Sequence, residues 1–179
     1  MFKIKITTEQ KEYAWKLVNE CNFGNRGVFD GNKERQYTGI LGEVVMADGI
    51  GFGRPLGGLG SDNGIDFIIH DMAIDLKTMG RTVDPTNNYI NNLVASQVES
   101  ETEMYVFASI NKGTLEMTFC GFIKKENLDK YFLPKGTKRI RFDKTSFIFK
   151  VDTYEIPNKE LINADSFSEL TNKIHQYSL

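Results

Sequence analysis

Three observations predict an α/β fold in a single domain. Short runs alternate apolar and polar residues through the middle of the chain, which is the strand signal. Apolar residues at helical spacing precede and follow those runs. No repeat, linker or low-complexity segment divides the 179 residues, which suffice for one domain (1–179) with a real core.

Thr7-Thr8-Glu9-Gln10 has the form of a capping box, with Thr7 as cap and Gln10 reaching back. A helix follows to about Cys21, with Ala14, Leu17, Val18 and Cys21 as its apolar stripe. Asn22 to Lys33, rich in Gly and Asn, reads as a loop. Arg35 to Asp48 is the second helix; Ile40, Leu41, Val44, Val45 and Ala47 bury it, and Gly49 ends it. Gly49 to Gly64, with six further glycines and one proline, reads as a flexible connection or lid-like loop. It lacks the pattern of a phosphate-cradling glycine loop, and no Walker lysine follows.

Past a central hairpin, Met79 to Asn92 reads as another loop, with Arg81 as its one basic residue and a candidate phosphate contact. Asn92 to Ser96 reads as a short strand, followed by Gln97, which matches no fixed motif. Glu103 to Ile110 and Leu115 to Ile123 read as strands joined by a turn at Asn111-Lys112-Gly113. Lys125 to Tyr131 reads as a short helix and Pro134-Lys135-Gly136 as a turn. Ile140 to Phe142, Phe147 to Val151 and Tyr154 to Ile156 are strand-like and rich in aromatics. Asp165 to Glu169 starts a last helix, with Ser166 and Glu169 as a second capping box.

Composition narrows the function classes. Hydrophobic residues at 40% and charged residues at 26% are ordinary for a globular protein. No run of about 18 apolar residues predicts a membrane span, and Met1 to Ile6 lacks the apolar core of a signal peptide. Cys21 and Cys120 lie far apart without a CxxC, which suits buried thiols in a reducing, cytoplasmic setting. The net charge of −2 excludes a uniformly basic nucleic-acid binder. Residues 124–150 nevertheless hold nine Lys/Arg against three acids, a local +6 that leaves −8 elsewhere. Such a face would contact phosphates; a solvated surface would give the same charge count.

The central hairpin carries the chemistry. Ile65, Phe67 and Ile69 alternate with Asp66 and Ile68; Ala73, Asp75 and Lys77 alternate with Ile74 and Leu76. With His70-Asp71 as a two-residue turn, Ile69 faces Met72, Ile68 faces Ala73, Phe67 faces Ile74 and Asp66 faces Asp75. Lys77 points to the same face, two residues beyond Asp75. Opposed carboxylates destabilise a hairpin unless neutralised, and oxygen-only ligands suit magnesium. Glu43, alone among Leu41 and Val44 on the second helix, is either a solvent-edge residue or a fourth member of this group. Adjacent acids with a lysine suit metal-assisted phosphodiester hydrolysis, with Lys77 orienting water or stabilising charge on the phosphorane. His70 and Asp71 read as turn residues only, and His175 as exposed.

Gly64-Ile65-Asp66 followed by Ile74-Asp75-Leu76-Lys77 resembles the PD-(D/E)XK nuclease signature, in which an Asp and an acid-x-Lys lie on adjacent strands. Ile65 stands where that motif has proline. Gly42-Glu43 with Ala47 resembles the upstream helical motif of the same superfamily. The resemblance covers roughly residues 35–123, leaving 124–179 as a basic, β-rich C-terminal part; Gly121 to Glu126 is similar to small nuclease-like proteins of phages and mobile elements. It implies a restriction-endonuclease-like core, a central mixed β-sheet flanked by helices. It implies Asp66 and Asp75 as metal ligands, Glu43 as ligand or water-holding acid, and Lys77 as the catalytic lysine. The implied cofactor is Mg²⁺, with Mn²⁺ as substitute, and the implied partner is DNA, cleaved as by an endonuclease. A homodimer would place two sites on two strands. An exonuclease, a junction resolvase, an RNase or a non-catalytic nucleic-acid-binding or assembly module are the alternatives.

Overall fold

Thr7 Oγ1 accepts the Gln10 amide at 3.1 Å and Gln10 Oε1 accepts the Thr7 amide at 2.9 Å, so the reciprocal box starts α1 (Thr8–Glu20). Its apolar stripe is buried at Ala14, Leu17 and Val18. In this computed structural model residues 1–21, 32–57, 64–98, 101–140 and 144–178 are described. Most of the expected Asn22–Lys33 loop lies outside them.

α2 (Lys33–Ile50) is longer than its apolar pattern suggests. Asn32 caps it by accepting the Arg35 amide at 3.0 Å, and Gly51, at φ +74°, ends it in the left-handed conformation. Gly49 therefore does not end the helix. It admits the ring of Phe167, which a Cβ at that position would meet at 2.1 Å. α3 (Phe167–Ser178) is the helix foreseen at the C-terminus. Ser166 Oγ accepts the Glu169 amide at 3.1 Å, while the Glu169 carboxylate accepts the Asp165 amide at 2.7 Å, one residue earlier than a reciprocal box requires.

The main sheet contains β1 (Phe2–Lys5), β2 (Phe67–Ile69), β3 (Met72–Arg81), β5 (Met104–Asn111) and β6 (Glu116–Lys124), in the order β1-β6-β5-β3-β2. β3 and β5 run parallel and the other neighbours antiparallel, so the sheet is mixed. β4 (Ile90–Val94), β7 (Phe132–Leu133) and β10 (Thr153–Pro157) form a second sheet in the order β4-β10-β7. β8 (Lys138–Ile140) and β9 (Ser146–Ile148) form a separate two-stranded ribbon.

Two apolar clusters sandwich the main sheet. Met104, Val106 and Ala108 join Ile74 and Leu76 under the helices, packed with Leu17, Val44, Val45 and Ile174. Tyr105 and Phe107 join Cys120 and Ile123 under the second sheet, packed with Leu93, Leu128, Ile156 and Leu161. Every residue of β5 is buried because both its faces are covered. The chain is thus α/β, and among the described residues three α-helices pack against a mixed sheet. No described helix is long and apolar enough to cross a membrane.

Elsewhere the local pattern misleads. Met79 to Arg81 continue β3 rather than begin a loop, because they pair in parallel with Ser109 to Asn111. Phe2 to Lys5 forms an edge strand against β6. Lys125 to Tyr131 is two short 3-10 turns, Lys125–Asn127 and Asp129–Tyr131, with Leu128 buried between them. Of the expected Ile140–Phe142 strand, only Ile140 lies among the described residues, as the end of β8.

Candidate active site

The turn forms as the sequence suggests. His70 and Asp71 both adopt positive φ, 50° and 63°, the backbone of a type I′ hairpin turn. The register pairs Ile69 with Met72, Ile68 with Ala73 and Phe67 with Ile74. There the ladder stops, and Asp66 does not sit across from Asp75. Instead the Asp66 amide donates to the Ile74 carbonyl at 2.9 Å, and Asp66 Oδ2 accepts the Leu76 amide at 2.7 Å. The carboxylate replaces the next strand residue along an edge of β3 that β2 no longer covers. Two residues upstream, Thr102 Oγ1 donates to the Gly64 carbonyl at 2.5 Å, and Gly64 turns the chain at φ +75°. Nothing local in the sequence marks Thr102 for this role, since its partner lies 38 residues away.

Asp75 and Lys77 pair with Tyr105 and Phe107, so they share the face under the second sheet. Ile74, Leu76 and Thr78 take the other face, toward α2. Helix and strand meet closely there: a Cβ on Gly42 would lie 1.9 Å from Thr78 Oγ1. Gly42 is therefore the residue that lets α2 descend onto β3, and Glu43 follows it directly. The sequence placed Asp66, Asp75 and Lys77 on one face. The structure instead wraps the group around an edge, with Asp66 along the edge, Asp75 and Lys77 on one side and Glu43 arriving on the helix.

Charge ties the four together. Asp66 is held well above the usual carboxylate range, first by burial, then by the charges of Glu43 and Asp75; the Leu76 amide and Lys77 pull only partly the other way. Asp75 is 2% exposed, and its Oδ2 lies 2.7 Å from Lys77 Nζ. As these side chains stand, no group of three or more His, Cys, Asp or Glu among the described residues is placed to hold a metal ion.

No family model, curated protein or solved structure matches this chain.

The other residues singled out from sequence are engaged elsewhere. Arg81 donates to Ser109 Oγ at 3.1 Å and to the Ile90 carbonyl at 2.8 Å, and lies over the Tyr89 ring at 4.9 Å. Its guanidinium fastens β3 to β4, so a phosphate contact there would compete with these bonds. Gln97 accepts the Tyr105 hydroxyl through its carbonyl at 3.4 Å. His70 does more than serve the turn: its ring packs on that of His175 with centroids 4.4 Å apart, joining the hairpin to α3.

Proposed function

We propose that this protein is a metal-dependent nuclease that hydrolyses DNA phosphodiester bonds, built on a restriction-endonuclease-like core. The supporting observation is the meeting of three acids and a lysine at the edge of β3: Asp66 Oδ2 on the Leu76 amide at 2.7 Å, the buried Asp75 2.7 Å from Lys77 Nζ, and Asp66 raised in proton affinity first by burial and then by Glu43 and Asp75. Three carboxylates and one ammonium leave a formal −2 when all are ionised, which a divalent cation matches. All-oxygen donors on Asp66, Asp75 and Glu43 suit Mg²⁺, with Mn²⁺ as substitute. Such an ion would supply Lewis-acid stabilisation of the phosphate and a more acidic attacking water.

The chain's own residues have separable tasks. Asp66 is held by the Leu76 amide, and burial with two neighbouring acids raises its proton affinity, so a bound cation would compete with protonation there. Lys77 balances Asp75 in the metal-free protein. Once Asp75 has another counter-charge, the ammonium is available to stabilise the negative charge that develops on the phosphate in the transition state. Glu43 holds or orients the water that attacks.

The absence of a ready three-ligand group among the described residues favours one competing reading, a nucleic-acid-binding module without turnover. Nicking of supercoiled plasmid separates the two. The nuclease nicks it with Mg²⁺, stops with EDTA, and loses several orders of magnitude of rate in Asp75→Ala. A wild-type protein that leaves the plasmid intact with either Mg²⁺ or Mn²⁺ would remove this proposal.

A further inference from the structure

The β8–β9 ribbon stands apart from both sheets. Its register pairs Lys138 with Ile148, Arg139 with Phe147 and Ile140 with Ser146. Paired residues share a face and successive residues alternate, so Arg139 and Phe147 lie on one side. That side is tied to the second sheet: Arg139 Nη2 lies 2.5 Å from the Glu155 carboxylate on β10, and Phe147 is half-buried. The opposite side carries Lys138, Ile140, Ser146 and Ile148. Its two isoleucines are 74% and 60% exposed. Lys144, beside β9, and Lys150, two residues beyond Ile148, are exposed as well. Between residues 130 and 151 the sequence holds seven Lys/Arg and one acid, Asp143, in a chain whose net charge is −2.

We infer that this ribbon enters the major groove of B-form duplex DNA, Ile140 and Ile148 against base edges and thymine methyls, Lys138, Lys144 and Lys150 on phosphates. The inference rests on the nuclease reading for its context and names the form of nucleic acid that the site would cut. Dimensions select the groove. Two strands about 4.8 Å apart, widened by their side chains, fit a major groove about 12 Å wide and overfill a minor groove about 6 Å wide. The major groove of A-form RNA is deep and too narrow for side chains to read. Aliphatic side chains flanked by lysines match a groove floor of methyls and base edges between two phosphate rims.

Binding without metal tests this independently of cleavage. Fluorescein-labelled 20-base-pair duplex DNA, the matching duplex RNA and the single strand are titrated with the full chain in EDTA. Wild type binds the DNA duplex at least tenfold tighter than either competitor. Lys138→Ala/Lys150→Ala weakens duplex binding about tenfold or more and flattens the salt dependence of log K by roughly two phosphate contacts, a change of about 1.8 in slope. Ile140→Ser/Ile148→Ser weakens binding about tenfold without changing that slope. These side chains are exposed, and unchanged melting temperatures confirm folding in both variants. Equal affinity for RNA, wild-type-like binding by both variants, or a change in oligomeric state with DNA affinity intact would each overturn the ribbon assignment. None of those outcomes touches the plasmid test, and an absence of nicking leaves the binding titration standing.

Discussion

Asp66 Oδ2 accepts the Leu76 amide at 2.7 Å across the mouth of the hairpin, so a carboxylate rather than a backbone carbonyl caps the open edge of β3. The bond places an acid where it is desolvated and next to two others. Burial and the two neighbouring acids raise the cost of ionising Asp66, which the Leu76 amide and Lys77 only partly offset.

Asp66→Asn tests the cost. A carboxyl whose folded-state pKa lies above its unfolded value binds its proton more tightly when folded, so its contribution is greatest below the ordinary carboxylate range. It is lost as pH rises from that range through the raised value. The metal-free protein therefore loses stability across that window, and Asp66→Asn, which keeps an acceptor for the Leu76 amide, flattens the loss. At pH 7 the variant is more stable than wild type in urea melts, and the difference disappears below the ordinary carboxylate range. Mg²⁺ raises the melting temperature of wild type but not of the variant, and the variant does not nick plasmid.

Lys77→Met should act in the opposite direction on stability. It removes the ammonium 2.7 Å from the buried Asp75 carboxylate and leaves the acid cluster without its nearest cation. Lys77 is partly exposed, so the loss is about 2 kcal/mol rather than the 3–5 kcal/mol of a fully buried pair. Adding Asp75→Asn to Lys77→Met recovers most of it. Chemical denaturation of the four members of this cycle reads the coupling directly.

Gly42→Ala tests the close approach that brings Glu43 to the edge. The new Cβ would meet Thr78 Oγ1 at 1.9 Å, and Thr78 Cβ at 2.9 Å, so side-chain rotation alone does not relieve it. Overpacking of this kind costs about 1–3 kcal/mol, and it pushes Glu43 away from Asp66. Cleavage should fall more steeply than stability, with kcat reduced while substrate KM changes little. Thr78→Ala removes Oγ1 and Cγ2 but leaves its Cβ in the 2.9 Å contact, so it rescues the double variant in part. Thr78 Oγ1 is itself buried without a hydrogen-bond partner among the described residues, so Thr78→Val alone stabilises by about 1 kcal/mol.

Arg54→Ala should loosen the segment after α2. Arg54 donates to both Asp48 carboxylate oxygens at 2.7 and 2.8 Å and to Glu9 at 2.9 Å, and lies 5.1 Å from the centroid of the Tyr13 ring. The Asp48 carboxyl is held below its usual range, chiefly by Arg54. That contribution is present above the ordinary carboxylate pKa, about 3.9, and is lost as pH falls through the depressed value. The variant loses about 1 kcal/mol at pH 7, given the solvent exposure of the pair, and the difference from wild type shrinks toward pH 2. Paired urea melts at the two pH values measure it.

The sequence by itself determined what depends on neighbours a few residues away. Thr7 and Gln10 announced their helix because a capping box closes within four residues. His70-Asp71 set the hairpin and three pairs of its register because a two-residue turn leaves the strands no other alignment. The four candidate site residues were legible as residue types, Asp66, Asp75 and Lys77 from their spacing and Glu43 as an acid inside an apolar helix.

Only the tertiary structure decided how those four meet. Periodicity assumes that a ladder continues, so it set Asp66 opposite Asp75; the fold ends the ladder one residue earlier and turns Asp66 onto Leu76. Met79 to Arg81 became strand because β5 lies alongside them, and β5 is brought there by contacts about 30 residues distant in sequence. Gly42 admits α2 to β3 through a contact 36 positions away, at Thr78. Local preference is worth fractions of a kcal/mol per residue, whereas burial of one large apolar side chain is worth about 1.5–3 kcal/mol. Where the two compete, packing between distant segments prevails, and the shape of the acid cluster is its product.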